Sequence, residues 1–353
     1  MRVCFFGCYN PDEERNVGLV KGLKRNGVEV LMCNDLSNPY FLRYPRLLAK
    51  NVKLDYDIVF VPWYSQGVVP FARLLTRKPI VIDAYLGLYE TSVIDRKVVN
   101  INSFKARLFY YLDKYHFRFG DLIISDTNEH IKYFHKEFGV KTDKFRRIFN
   151  TTDDDFWRPC EKTFDEKDEF QVKFCGGFIP LQGIEYIIKA AKLLETQKGI
   201  NFELIGRGQT YNDMYELANQ LKVKNVRFTP IWTHYSKVPS LLANASVLLG
   251  IFGKGEKSRR VIPSKVIDAL AMKKPVITGD SPAAREILQD RENCILVPMA
   301  NPEALAEAIL TLKDDKKLRD KIAENGYKLF KEKLSPKAIG KELKSILMEL
   351  IEK

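Results

Sequence analysis

Short apolar runs alternate with segments in which apolar residues recur at helical spacing. In the first half of the chain, runs typical of buried strands lie at residues 3–7, 28–32, 57–61, 79–83 and 122–125. The segment 16–26 between two of them has a helical pattern closed by Gly27. Strands that alternate with helices in this way predict a parallel sheet covered by helices.

This alternation stops near residue 146 and later begins again. Residues 158–168 are charged and lack periodicity, which predicts a linker. Further strand-like runs follow at residues 172–178, 202–208, 226–230, 245–251, 276–278 and 295–297. The chain is therefore predicted to form two α/β domains in series, residues 1–156 and 157–335, followed by a final amphipathic helix over residues 338–352.

Composition supports a folded protein of two domains. The chain has 353 residues, of which 45% are hydrophobic. No apolar run approaches the ~18 residues that span a bilayer, and the N-terminus lacks the features of a signal peptide. The six cysteines show no metal-ligand spacing, so buried thiols in a reducing cytoplasm are expected.

The positive charge is concentrated in the first half. The net charge is +12, and residues 1–150 carry 24 Lys and Arg against 16 Asp and Glu. Such an excess favours an anionic partner: a membrane surface, a nucleic acid or an acidic saccharide. Residues 40–53 and 104–118 mix aromatic with basic side chains, as helices on anionic bilayers do. Ordinary helices with solvated charges would have the same pattern.

The stretch 253–287 is predicted to hold the main binding site. It reads as a basic loop, a helix beginning at Ser264, a buried strand at 275–278, a second loop and a second helix start. Ligands of open α/β sheets bind past the carboxyl ends of strands and against helix N-termini. Arg260 and Lys265 lie beside the first helix start, which suits a diphosphate. Solvated loop charges are the alternative for Arg260 and its neighbours.

Two glycine turns follow strand-like runs of the second domain. Gly176, Gly177 and Gly183 lie between a strand and a helix, where backbone N–H groups can cradle a phosphate. Gly206 follows the next strand. A turn that needs glycine only for packing remains the alternative.

The order of these residues resembles the nucleotide-sugar site of retaining glycosyltransferases with the GT-B fold, the family 4 class. That class has E-x7-E, an A-M-A-x-G-x-P-V-I run and a later loop with a Glu. Asp268 stands at the second acidic position, residues 271–277 at the run, and Glu286 after the loop. The resemblance implies two Rossmann-like domains with an interdomain cleft, the first completed by the C-terminal helix 336–353.

The chain departs from the family pattern at three positions. Arg260 replaces the first acid, and Gly177 and Gln182 replace the Arg and Lys of G-R-x-x-x-x-K-G. We therefore expect Arg260 and Lys265 to bind the diphosphate or an acidic sugar. By resemblance, Asp268 binds the ribose and Trp232 flanks the nucleobase. A salt bridge from Asp268 to Lys265 and a plain core role for Trp232 are the alternatives. The remaining predicted donor-site residues are Ser264, Ser281, Pro282, Ala283 and Glu286.

In the first domain, the acceptor is expected at the carboxyl ends of the strands. Gly7 follows the first strand, and Asp83 ends another buried strand. A buried carboxylate is unfavourable unless it is paired, so Asp83 is the predicted acceptor-side catalytic residue, with Glu90 the next candidate. An Asp83 that caps the following turn is the alternative.

The resemblance implies transfer of a sugar from a nucleotide diphosphate sugar to a lipid-linked or saccharide hydroxyl, with retention of configuration. No Asp-x-Asp pair ends a strand, and Asp153, Asp154 and Asp155 lie in the linker region, so no obligatory metal is expected. A cytoplasmic protein, peripheral on the inner face of the membrane, fits the basic first domain. Two alternatives stay open: a GT-B epimerase, or a basic binding protein with a degenerate sugar site. No nucleic-acid motif is present.

Overall fold

The structure is a computed structural model that describes residues 1–159, 169–231 and 235–352. The chain divides into two compact units. Unit 1 comprises Met1–Thr151 and the C-terminal segment that begins at Ser335, and unit 2 comprises Thr152–Leu334. Both units are parallel α/β sheets, as the alternating pattern predicts.

Unit 1 contains a six-stranded sheet in the order β2-β1-β3-β4-β5-β6. Its strands are β1 (Arg2–Gly7), β2 (Glu29–Asn34), β3 (Ile58–Val61), β4 (Ile80–Asp83), β5 (Leu122–Ser125) and β6 (Phe145–Arg147). Its helices are α1 (Glu14–Arg25), α2 (Arg43–Asn51), α3 (Val69–Leu75), α4 (Phe104–His116), α5 (Asn128–Phe138) and α12 (Pro336–Ile351). The central strands are fully buried because helices cover both faces.

Unit 2 contains a second six-stranded sheet, in the order β12-β11-β10-β7-β8-β9. Its strands are β7 (Phe170–Cys175), β8 (Ile200–Ile205), β9 (Val226–Thr229), β10 (Val247–Leu249), β11 (Val276–Asp280) and β12 (Ile295–Pro298). Its helices are α6 (Ile184–Leu193), α7 (Tyr211–Gln220), α8 (Val238–Leu242), α9 (Ser264–Ala271), α10 (Pro302–Asp314) and α11 (Lys316–Leu329). Its core is mainly aliphatic, with phenylalanines contributed by β7, β8 and the turn after β7.

The C-terminal helix α12 packs against α1, within unit 1. A Cβ atom added to Gly22 of α1 would lie 2.3 Å from the carbonyl oxygen of Pro336 and 3.0 Å from Cα of Gly340. The two helices therefore touch backbone to backbone, and only glycine at these positions permits it. The Lys344 ammonium also donates a hydrogen bond to the carbonyl oxygen of Asn26.

One predicted element of the binding stretch is wrong. The second helix start, expected after the strand at 275–278, is a single 3-10 turn over Ala284–Glu286. Leu288 is buried just beyond it, and the chain then returns to β12, so too few residues remain for an α-helix. Within the described parts of the chain, no helix is long and apolar enough to cross a membrane.

Candidate functional site

Three glycine turns meet at the carboxyl ends of the central strands of unit 2. Gly176 follows β7, Gly206 follows β8, and Gly253 lies beyond β10. A Cβ atom at Gly206 would be 2.1 Å from the carbonyl oxygen of Gly176, and one at Gly183 would be 2.4 Å from the backbone nitrogen of Gly253. The turns are thus in direct contact, at the point where the strand order reverses around β7, the usual binding crevice of such sheets.

Lys265 places a cation beside the first of these turns. It lies in the first turn of α9, and its ammonium donates a 2.6 Å hydrogen bond to the Gln182 side-chain oxygen. Its Nζ is 3.7 Å from the Phe174 ring centroid and 2.5 Å from the place where a Cβ atom of Gly176 would be. Burial lowers the pKa of Lys265 to about 7, against the opposing effects of Cys175 and Asp268.

This geometry explains how the glycine turn can lack its own cations. Gln182 occupies the position where the resembling family carries Lys, and its amide oxygen holds the ammonium of Lys265 instead. In the described residues, no carboxylate lies within ion-pair distance of Lys265. The cation is held by a neutral amide and an aromatic face, which leaves its charge available to an anion.

The other residues predicted around the start of α9 have different surroundings. Asp268 is buried one helical turn beyond Lys265, and Ser264 is the first residue of the helix. The Arg260 guanidinium is half-buried and lies 3.6 Å from the Glu256 carboxylate. Arg260 is therefore already paired with an acid of its own loop, unlike Lys265.

The loop after β11 is tied to the basic loop. The Ser281 hydroxyl accepts a hydrogen bond from the backbone N–H of Ala284, and Ala283 N–H donates to the carbonyl oxygen of Arg259. Pro282 is exposed, and Glu286 is half-buried in the 3-10 turn. These predicted residues lie on one connected pair of loops that follow β10 and β11.

Of two further predicted site residues, Gly177 and Trp232, the structure describes only the first. Gly177 is half-buried, and the nearest atom to an added Cβ would be the carbonyl oxygen of Arg207 at 4.0 Å, so the turn is open there. Trp232 lies outside the described residues.

In unit 1 the corresponding strand ends carry charges that are paired with each other. Asp83, at the end of β4, accepts two 2.8 Å hydrogen bonds from the Arg15 guanidinium, and both side chains are buried. The Arg15 guanidinium also lies 4.7 Å from the Tyr85 ring centroid. The predicted turn cap is not what holds Asp83: its partner is a bidentate arginine 68 residues away.

A buried histidine joins two more carboxylates of unit 1. His130 Nε2 lies 3.0 Å from Glu90 and Nδ1 lies 2.9 Å from Asp126. Burial would lower the pKa of His130, but the two carboxylates outweigh it and raise the pKa to about 9. The bridge fixes Glu90, the second acceptor-side candidate. Sequence reasoning missed both His130 and Arg15, although the four-residue spacing of Asp126 and His130 was visible.

The three aspartates of the linker region form a cluster. The ligand atoms of Asp153, Asp154 and Asp155 lie within 4.8 Å of one another, and Asp153 accepts a hydrogen bond from the backbone of Asp155. They precede β7 and its glycine turn, and an acidic cluster by itself does not identify a metal site.

Comparison with known proteins identifies the fold and the family of unit 2. Residues 156–329 match the family model described as glycosyl transferases group 1. This segment is a group 1 glycosyltransferase domain. It contains all three glycine turns, Lys265 and Asp268, and the match confirms the predicted resemblance at the level of the group 1 glycosyltransferases.

Similar sequences and structures agree with this assignment. Alpha-D-kanosaminyltransferase of Streptomyces kanamyceticus is 25% identical over 51% of this chain and 45% of its own. CapM of Staphylococcus aureus, a capsular polysaccharide biosynthesis glycosyltransferase, is 26% identical over 78% of this chain and 72% of its own. This chain therefore matches less than half the length of the kanosaminyltransferase.

A solved structure covers both units. HepE of Anabaena, crystallised with UDP and glucose, superposes with a TM-score of 0.72 at 16% identity, over 99% of this chain and 100% of that one. At this identity the likeness concerns the fold alone. The predicted fold class, GT-B with two Rossmann-like domains, is confirmed.

Proposed function

We propose that this group 1 glycosyltransferase takes its sugar from a nucleoside diphosphate sugar bound in unit 2. The observation that carries the proposal is the Lys265 ammonium, held against the Gly176 turn by Gln182 and Phe174. A diphosphate needs charge-assisted hydrogen bonds if it is partly buried, and this turn offers backbone N–H groups and one cation together. The complex of the similar HepE fold with UDP and glucose supports the same donor class.

In the proposed reaction, the bond between the anomeric carbon and the diphosphate oxygen breaks. The nucleoside diphosphate leaves with the bonding electrons, and Lys265 together with the start of α9 stabilises its charge. The oxygen of an acceptor hydroxyl forms the new bond to the anomeric carbon, and its proton passes to the departing diphosphate oxygen. We propose retention of configuration at that carbon, by resemblance to the family 4 class, and a hexosyl unit as the group transferred.

The proposed roles of the other residues follow their positions. Asp268 accepts hydrogen bonds from the ribose hydroxyls, one helical turn from Lys265. Ser264, Ser281, Ala283 and Glu286 surround the diphosphate and the sugar. Arg260 contributes only after it leaves Glu256, and so its share is smaller than that of Lys265. We propose that no metal is obligatory, because a protein cation takes the charge-neutralising role.

The acceptor is proposed to be a lipid-linked or saccharide hydroxyl in glycan biosynthesis. The similarity to CapM, named for capsular polysaccharide biosynthesis, supports a glycan acceptor. We propose that the reaction takes place in the cytoplasm at the inner face of the membrane. Asp83 is then a residue that positions the acceptor loops through Arg15.

The proposal is tested by titrating UDP and inorganic pyrophosphate into three variants by calorimetry. Lys265→Met removes the cation and keeps the stem, and we expect both ligands to bind about tenfold to a hundredfold more weakly. Asp268→Asn is expected to weaken UDP but not pyrophosphate. Lys254→Met removes an exposed cation near the basic loop and serves as the control.

Wild-type affinity for both ligands in Lys265→Met would overturn the site. Transfer assays with a panel of nucleotide sugars then name the donor. The anomeric configuration of the product, read by NMR coupling constants, tests retention, and activity in EDTA tests the absence of a metal requirement.

A further inference from the structure

Helix α4 of unit 1 has an apolar stripe on its exposed side. Phe104, Leu108, Tyr111 and Tyr115 are all exposed, and their spacing of four, three and four residues places them on one face. Phe104 is 81% exposed. The opposite side of the helix, with Ala106 and His116, is buried on the sheet. A surface helix normally presents polar residues at such positions, so this stripe is not explained by the fold of unit 1.

Two further helices of unit 1 also carry exposed apolar side chains. Phe41, Leu48 and Val52, in and beside α2, are exposed at similar spacing, and Leu74 of α3 is 83% exposed. Helices α2, α3 and α4 each connect strands that advance in the same direction across the sheet, so the right-handed crossover rule places them on one face. Helix α2 packs on α3, and α3 packs on the turn Phe117–Phe119 that continues α4.

The charges on these three helices have one sign. They carry seven basic side chains: Arg43, Arg46, Lys50, Arg73, Lys105, Arg107 and Lys114. Their single acid, Asp113, is fully buried and accepts a hydrogen bond from the backbone of Tyr89. Helix α5, which connects β5 to β6 in the same direction and contacts α4, instead mixes Glu129 and Glu137 with Lys132 and Lys136. The excess of cations is thus confined to α2, α3 and α4 and does not extend to the α5 edge of the same side of the sheet.

We propose that the face formed by α2, α3 and α4 binds the surface of an anionic lipid bilayer. Exposed Phe, Leu and Val side chains enter the boundary of the acyl chains, while flanking lysines and arginines meet the anionic head groups. The Arg118 guanidinium lies 4.6 Å from the Tyr115 ring centroid, a pairing suited to the head-group level. This inference rests on the proposed function, which includes a lipid-linked acceptor. It adds the face of unit 1 that contacts the lipid.

Charge separates the bilayer from other occupants of the face. A second copy of this chain that docked through the same face would bring cations against cations, which disfavours a symmetric dimer through this face. A nucleic acid would use the cations and stack on the tyrosines, but it would leave Leu48, Val52 and Leu74 in water. An anionic bilayer uses both the apolar stripe and the cations.

The test is co-sedimentation of the full chain with vesicles of phosphatidylcholine, alone or with about one third phosphatidylglycerol. We expect tight binding only to the anionic vesicles, weakened by salt. Phe104→Glu combined with Leu108→Glu is expected to weaken binding tenfold or more. Lys105→Glu with Arg107→Glu is expected to weaken it at least 25-fold, because each cation near such a surface contributes about fivefold.

Leu193→Glu, at a half-exposed apolar position on α6 of unit 2, adds a similar charge elsewhere and is the control. Equal binding of wild type and both α4 variants, or no preference for anionic vesicles, would overturn the proposal. Self-association or RNA binding that the α4 changes abolish, without vesicle binding, would assign the face to those partners. UDP affinity is measured in the same samples, so a failure of this inference with normal UDP binding leaves the proposed function intact.

Discussion

The first strands of the two sheets end in the same way and face different partners. Gly7 ends β1, and Gly176 directly follows β7. The strand order reverses beside each of these two strands, and both glycines have a φ of 156°. A Cβ atom would meet the Ser65 hydroxyl in unit 1 and the Lys265 ammonium in unit 2. The same backbone device therefore receives a neutral group in one unit and a cation in the other.

The buried charged groups of the two units also differ: those of unit 1 form ion pairs, whereas Lys265 of unit 2 is held by neutral groups. In unit 1, Arg15 pairs with Asp83 and His130 with Glu90 and Asp126, all away from solvent. In unit 2, the Lys265 ammonium is held by the Gln182 amide oxygen and the Phe174 ring, and no carboxylate among the described residues lies within ion-pair distance of it. Removing one partner of a buried charge pair is strongly destabilising, whereas a cation without a carboxylate partner is suited to bind an anion. We therefore propose that the paired charges of unit 1 act chiefly in stability and that Lys265 acts in ligand binding.

The largest effect expected from this difference between the units is the loss of stability on replacing Arg15. Arg15→Met leaves Asp83 buried without its partner, so the free energy of unfolding should fall by about 3–5 kcal/mol. Urea denaturation measures the loss, and UDP affinity of the folded protein should not change. Arg15→Met combined with Asp83→Leu should recover part of the stability. A loss below about 1 kcal/mol would contradict the assigned role.

The second prediction compares the two glycines directly. Gly176→Ala pushes a methyl group against Lys265, and we expect UDP to bind about tenfold more weakly or worse. Gly7→Ala creates the same backbone strain, about 1–3 kcal/mol, against Ser65. It should lower the melting temperature without changing UDP affinity. Equal losses of affinity in both variants would mean that the two turns do not have separate roles.

The smallest expected effect is the pH dependence of UDP binding. The pKa of Lys265 is about 7, so the free protein loses this proton as the pH rises through 7. The diphosphate favours the protonated form, and affinity should therefore fall above pH 7, by at most tenfold per pH unit. Calorimetry in buffers of different ionisation enthalpy should detect proton uptake on binding near and above pH 7, where the free lysine is partly deprotonated. A Lys265→Met variant without this uptake would attribute it to Lys265.

Local pattern was sufficient for the strands and most of the helices, because apolar runs and helical spacing are written in neighbouring residues. It also pointed to a cation beside the glycine turn, since Gly177 and Gln182 lack the family's cations, and the structure places Lys265 there; its role in binding stays a prediction. The Arg15–Asp83 pair joins residues 68 positions apart, and no local signal announces such a partner. The helix expected after Pro282 failed because the fold allows only one turn before Leu288 must be buried.

The close approach of Gly22 and Gly340 has a consequence for synthesis on the ribosome. Unit 2 is continuous in the chain and can complete its core as soon as its own residues have emerged. Unit 1 begins first but finishes last, because α1 keeps a bare backbone groove until the segment from Ser335 onward is available to fill it. Since domains fold as they appear at roughly 5–20 residues per second, the earlier unit spends the longest time incomplete and is the one that nascent-chain chaperones have most time to hold.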